Sequence, residues 1–241
     1  MSNGRMAWGL VTACAFALLQ LALLLALPKA DAKWVAHAAM VLAPLGATLA
    51  AAWRGQHATG PARASWRLLA LSLGLWALGA LGNLWHECIQ GRQDGIYREA
   101  MLCFHLAAVP LAYLLASEWD TSGRRWLRLI DGLMAAALGY AYFLVTWAVL
   151  TGTVTTEADG VVAMLWLVDG QNLFVAAGAA VRWHAARDAA ERSVFAALAA
   201  HSGLYLLLTA VNNHLLSGMP EVWLEVGSFI TLSFGLLVGL A

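Results

Sequence analysis

An all-α, polytopic membrane fold with about eight spanning helices follows from three observations. The chain of 241 residues is 61% hydrophobic and only 12% charged, a balance that soluble globular domains do not show. Its apolar residues fall in continuous runs of about 20, enough to cross about 30 Å of hydrocarbon, and not in the short alternating segments of a membrane barrel. Its basic residues gather in alternate connections between those runs.

The runs are taken in chain order, and their ends carry the signals. The first, 7–27, lacks a small-residue cleavage site and reads as a retained helix, not a removed signal peptide. The second, 34–53, opens on Trp34 and His37. The third, 66–86, begins at Trp66 and closes on Trp85 and His86, with Cys88 just beyond. The fourth, 98–117, carries Met101, Cys103 and His105; the fifth, 126–151, follows Arg124 and Arg125. The sixth, 160–181, holds Asp169, Gln171 and Asn172, and the seventh, 193–214, carries His201 and closes on His214. The eighth, 221–241, contains Gly235 and Gly239, a spacing that suits close helix packing or dimerisation. A re-entrant run would lower the count to seven. No soluble domain interrupts the series, so function has to lie within the bilayer, at its rims or in something attached.

Arg5, then Arg54, Arg63 and Arg67, then Arg124, Arg125 and Arg128, then Arg182, Arg187 and Arg192 fall on one side; Lys29, Lys33, Arg92 and Arg98 are what the other side holds. The positive-inside rule places both termini in the cytoplasm. Tryptophans near the run ends, Trp34, Trp53, Trp66, Trp85, Trp119, Trp126, Trp183 and Trp223, form an interfacial belt. A net charge of zero gives no reason to expect a nucleic-acid partner. Of Cys14, Cys88 and Cys103, the last two approach the outer surface, but no spacing demands a disulfide.

The segment 65–119 recurs in degraded form over 192–241. Leu78 to Asn83, then Trp85, His86, Glu87 and Gly91, resumes through Tyr97, Glu99 and Phe104; Leu208 to His214, then Gly218, resumes through Trp223, Glu225 and Phe229. Each copy reads as a helical hairpin bent at the outer face, and His105 faces Thr231 in the alignment. The copies are unequal, so a pocket between them is expected to hold one ligand.

The runs Ser65-Trp66-Arg67-Leu68-Leu69-Ala70, Leu75-Trp76-Ala77-Leu78-Gly79, Ala107-Ala108-Val109-Pro110-Leu111 and Arg125-Trp126-Leu127-Arg128-Leu129-Ile130-Asp131-Gly132-Leu133 resemble the multi-pass N-terminal sensor regions of bacterial signalling proteins. Those proteins carry diguanylate cyclase (GGDEF), phosphodiesterase (EAL) or kinase output domains. The resemblance implies a bacterial inner-membrane sensor, a homodimer, and a cytoplasmic output domain in the same polypeptide beyond Ala241. No GGDEF, EAL or kinase motif is present, so the residues here carry no implied enzyme activity. His86, His105, His201 and His214 depart from the resembled pattern.

Those histidines are the candidate site. His37, His86 and His214 lie near the outer rim, with His105 about 10 Å below it at 1.5 Å per residue. If their helices are neighbours they converge, with Met101 and Cys88 as soft companions. Imidazole with thioether or thiolate suits copper; paired imidazoles suit haem b. His201 and His214 are 13 residues apart, about 220° around a helix, so they do not stack two haems on one face. His201 instead aligns with Tyr205, Thr209 and Asn212 in a polar stripe. Asp169, about 12 Å deep, is costly by about 3 kcal/mol unless protonated or paired; His105 is the expected partner and His201 the second choice. The expected function is a sensor binding haem, a copper-like metal or another small ligand. The alternatives are a free-standing haem electron carrier and, third, a metal-dependent lipid hydrolase using Asp169 or Glu87 as base. The chain has no helical lysine for a retinal Schiff base, no phosphate-binding glycine loop and no nucleophile elbow.

Overall fold

Eight helices account for most of the residues that the computed structural model describes, which are 3–92, 97–116, 125–151, 157–216 and 229–241. They are α1 (Asn3–Ala26), α2 (Lys29–His57), α3 (Gly60–Leu84), α4 (Arg98–Ala116), α5 (Arg125–Leu150), α6 (Glu157–Ala185), α7 (Ala189–Ala210) and α8 (Thr231–Leu240). No strand occurs among the described residues. Six helices, α2 to α7, are long and apolar enough to cross a membrane, and α1 and α8 supply shorter apolar stretches. Composition and helix length together mark a membrane protein. The start of the expected eighth helix, with Gly218, Met219, Trp223 and Glu225, lies outside the described residues, as does Trp119.

Local chemistry sets the helix ends. Pro28, which cannot continue a preceding helix, sits at the N-cap of α2, and Asp31 follows in its first turn. Gly60 takes φ +58° between α2 and α3, with Pro61 next to it in the first turn of α3. Asp188 caps α7 by accepting from the Glu191 amide at 2.7 Å, and Glu191 in turn meets Arg182 of α6 at 3.4 Å. Two ends are irregular: α3 runs into a π-helical turn at Trp85–Ile89, and α7 into another at Val211–Leu216.

Each helix packs on its chain neighbours, and the series closes on itself. Helix α3 lies between α2 and α4, and α7 between α6 and α8; α3 and α7 meet in the middle, and α8 returns to α2. Helix α5 covers the outside of α4 and α6, as α1 covers α8 and α2. Advancing every helix by four places reproduces the same set of neighbours. Buried positions follow suit: Ser65, Trp66, Leu69 and Leu73 of α3 match Val194, Phe195, Leu198 and Ser202 of α7. Trp76 and Tyr205, which match in the same register, meet across the centre, the indole Nε1 donating to the phenol oxygen at 3.0 Å.

The core is densest where α2, α3, α7 and α8 converge on Trp66, Leu69, Phe195, Leu198, Phe234 and Leu237. Small residues bring backbones close. A Cβ on Gly235 would stand 2.9 Å from the Cα of Ala13, so the Gly235 position serves packing of α8 on α1 within the chain. Beside it, the Thr231 hydroxyl donates to buried Gln20 of α1 at 2.7 Å. In α4, Ser72 of α3 donates to the Ala107 carbonyl at 2.6 Å, close to the backbone that Pro110 interrupts.

Candidate functional site

Six helices enclose a cavity of about 450 Å³ at the centre of the bundle. Its floor is apolar and aromatic: Leu69, Trp76, Phe104, Val168 and Phe234. His201, Tyr205, Thr209 and Asn212, spaced at helical periods along α7 and its π turn, face it from one side; Asn83, Met101 and His105 face it from α3 and α4. Gln171 and Asn172 of α6, with Ser72, Ser202 and Asn213, add to the polar lining, and among the described residues that lining contains neither Lys, Arg, Asp nor Glu.

Hydrogen bonds fix the proton positions of both interior imidazoles. Nδ1 of His105 lies 2.8 Å from the Met101 carbonyl, and Nδ1 of His201 lies 2.9 Å from the Ser233 carbonyl. A carbonyl oxygen only accepts, so each Nδ1 carries the hydrogen and each Nε2 presents a lone pair. His105 is 3% exposed, walled by the rings of Tyr142 and Phe143, and its buried Nε2 has no hydrogen-bond partner. Asn212 Oδ1 in the same wall is likewise buried and unpartnered. Leaving such acceptors unmade costs on the order of 1–3 kcal/mol each. Their neighbours are satisfied: Asn172 donates to Thr209 Oγ1 at 3.5 Å, and Thr209 donates to the Tyr205 carbonyl at 2.9 Å.

The expected convergence of the rim histidines on His105 does not occur, because each is held by groups close to it. Nε2 of His37 meets Glu87 at 3.3 Å, and Lys33 meets the same carboxylate at 3.4 Å. His86 stacks on Tyr97, with ring centroids 4.3 Å apart, and bonds Gln90 at 2.9 Å; Glu99 is 3.9 Å from its Nε2. His214 binds Asp169 at 2.5 Å and packs against the indole of Trp166. Asp169 therefore pairs with His214 and with Asn213, whose amide donates at 3.2 Å, and not with His105 or His201. The two interior histidines spend Nδ1 on backbone, while the π turn after α7 sets both Asn213 and His214 against α6. Cys88 lies in the π turn after α3 and Cys103 in α4, and both are free thiols. Among the described residues no three His, Cys, Asp or Glu side chains group as metal ligands.

Haem b fits the described lining poorly: it brings two carboxylates, and no described residue of the lining is a cation to receive them. Copper(I) suits the donors better in kind, since Met40, Met101 and Met164 share the cavity with His105 and His201. The Nδ1–H to carbonyl bond at each imidazole is also the contact that orients a ligating histidine.

A second cavity, about 920 Å³, lies between α4, α5 and α6. It shares His105, Ala108, Gln171 and Val175 with the first. Neither this cavity nor the π turns left a mark in the sequence pattern, because both arise where helices diverge and not along any one of them. The lining role of Gln171 and Asn172 was hidden by their closeness to Asp169. No family model, curated protein or solved structure matches the chain.

Proposed function

We propose that the chain is a membrane sensor module whose interior cavity binds one small, largely apolar ligand. The reading is carried by His105, a 3% exposed imidazole whose unpartnered Nε2 sits in a wall built by both halves of the bundle. A ligand that engages it favours the helix arrangement in which the acceptor is satisfied, and only such a difference in affinity can shift an equilibrium between arrangements. The four-place repetition of helix neighbours supports a duplicated unit of four helices, with hairpins 65–119 and 192–241 as its better-preserved parts. The distribution of arginines supports cytoplasmic termini in a bacterial inner membrane. Resemblance to sensor regions supports a homodimer and a cytoplasmic output domain in the same polypeptide as the receiver of the helix shift. The electron-carrier and hydrolase alternatives gain no such support, since haem meets no cation among the described residues of the cavity and Asp169 is committed to His214 and Asn213. A copper(I) site is the second reading, favoured by the three thioethers and two imidazoles that share the lining.

Native mass spectrometry of the protein taken from its host membrane tests the site. The wild type is expected to release a bound small molecule that Ala108→Trp, which fills the cavity, excludes, and that Val145→Trp, on an exposed part of α5 outside both cavity linings, retains. Identical adducts in all three proteins would sink the reading. Elemental analysis of the same preparations decides copper: the second reading needs about one copper per chain, lost in His105→Ala and Met101→Leu.

A further inference from the structure

We propose that the ligand of the interior cavity is a long-chain lipid with a hydroxyl head, admitted sideways from the bilayer through the second cavity between α4, α5 and α6. The inference rests on the reading of the interior cavity as a ligand site, and it adds the head group, the tail and the route.

The head group follows from the sense of the unmet hydrogen bonds. Nε2 of His105 accepts, because Nδ1 has given its hydrogen to the Met101 carbonyl. Asn212 Oδ1 accepts as well. A ketone, ether, carboxylate or phosphate head offers only acceptors and leaves both atoms unmet. An ammonium head donates, but no Asp or Glu among the described residues lines the interior cavity to balance its charge. A neutral hydroxyl satisfies the imidazole at no cost in charge.

The tail and the route follow from how the two cavities join. His105, Ala108, Gln171 and Val175 belong to both, so a head at His105 stands at the junction of a 450 Å³ chamber and a 920 Å³ one. Met134, Leu138, Trp166 and Phe174, on the two helices α5 and α6, line the outer chamber and are 59%, 70%, 64% and 61% exposed. Large apolar side chains so exposed, on helices long enough to span the bilayer, face acyl chains and not water. An apolar chain lying between α5 and α6 meets the same chemistry on either side of this mouth.

The test uses hexadecanol carrying a diazirine midway along its chain, and its methyl ether, with the protein in lipid nanodiscs. After irradiation and digestion, the alcohol is expected to label cavity-lining residues of α4, α5 and α6, saturably and in competition with unlabelled hexadecanol. The ether is expected to label them about tenfold less, as is the alcohol in His105→Leu, the loss of one buried hydrogen bond being worth roughly that factor. His105→Gln, which keeps an acceptor, restores part of the labelling, and the contrast between alcohol and ether in the wild type decides should His105→Leu fold badly. Equal labelling of the cavity by alcohol and ether overturns the hydroxyl head while upholding the ligand site. Labelling confined to the outer face of α5, unaffected by competitor, overturns both.

Discussion

Asp169 is held by two donors of different kinds, the imidazole of His214 at 2.5 Å and the carboxamide of Asn213 at 3.2 Å. With only 9% of its surface exposed in an apolar helix, it needs both. A hydrogen bond to a charged group is worth about 1.5–3 kcal/mol in soluble proteins, but interhelical bonds in membranes average about 0.6 kcal/mol with a maximum near 1.7. The membrane range is the better guide here. A double-mutant cycle of Asp169→Asn and His214→Gln, read by reversible unfolding in mixed detergent, is expected to give a coupling of about 0.6–1.7 kcal/mol. Asp169→Asn with His105→Gln serves as the control and should be additive within about 0.5 kcal/mol; coupling in that second cycle, and none in the first, would reverse the pairing. That Asp169 needs a partner was legible from the cost of a carboxylate at depth. Which partner was not, because depth along a helix says nothing of rotation about it, and His105 at similar depth holds its Nδ1 on the Met101 carbonyl of its own helix.

Helix packing shows the same division between what a linear pattern reveals and what it hides. The eight apolar runs fix where helices lie, and Pro28, Gly60 and Asp188 mark ends that the structure uses. The π turns at Trp85–Ile89 and Val211–Leu216 carry no Pro or Gly that would announce them. The glycine pair in the last run was legible as a close contact but not as to its partner, which is α1 of the same chain. Because the atom facing Gly235 is a backbone carbon of Ala13 at 2.9 Å, no side-chain rotation relieves an added methyl. Gly235→Ala is therefore expected to cost about 1–3 kcal/mol by forcing α1 and α8 apart. Gly46→Ala, whose new methyl would meet only Val238 Cγ2 at 3.9 Å, is expected to be neutral or slightly stabilising. Melting both variants in one detergent checks the contrast, and equal melting temperatures would show that the α1–α8 contact carries no weight.

The whole molecule is closed by contacts that run against chain order. Helix α8 packs on α1 and α2, the far end of the chain against its beginning, and α3 meets α7 through Trp76 and Tyr205. The hairpin repeat in the sequence points to two related halves but does not say that they interlock. Interlocking is a property of faces: α1 covers α8 of the other half, and α5 likewise covers α4 of the other half. Each four-helix half alone would leave one side of α2, α3 and α4, or of α6, α7 and α8, without its partners. It would also leave the cavity open, since His105 comes from one half and His201 from the other. In lipid the penalty falls on polar groups: Gln20 and Thr231, which bond each other at 2.7 Å, would both face acyl chains, as would the Trp76 indole and the Tyr205 phenol. A gene split between α4 and α5 and co-expressed as two fragments should therefore yield a complex that co-purifies through a tag on either piece. Either fragment alone should be degraded or recovered only as aggregate. The joint substitution Gln20→Leu and Thr231→Val, which removes one bond across the halves while keeping volume, should weaken co-purification without abolishing it, because the Trp66, Phe195 and Phe234 core persists. Fragments that accumulate separately as stable monomers would mean that the halves are independent bundles, and the shared cavity would lose its basis.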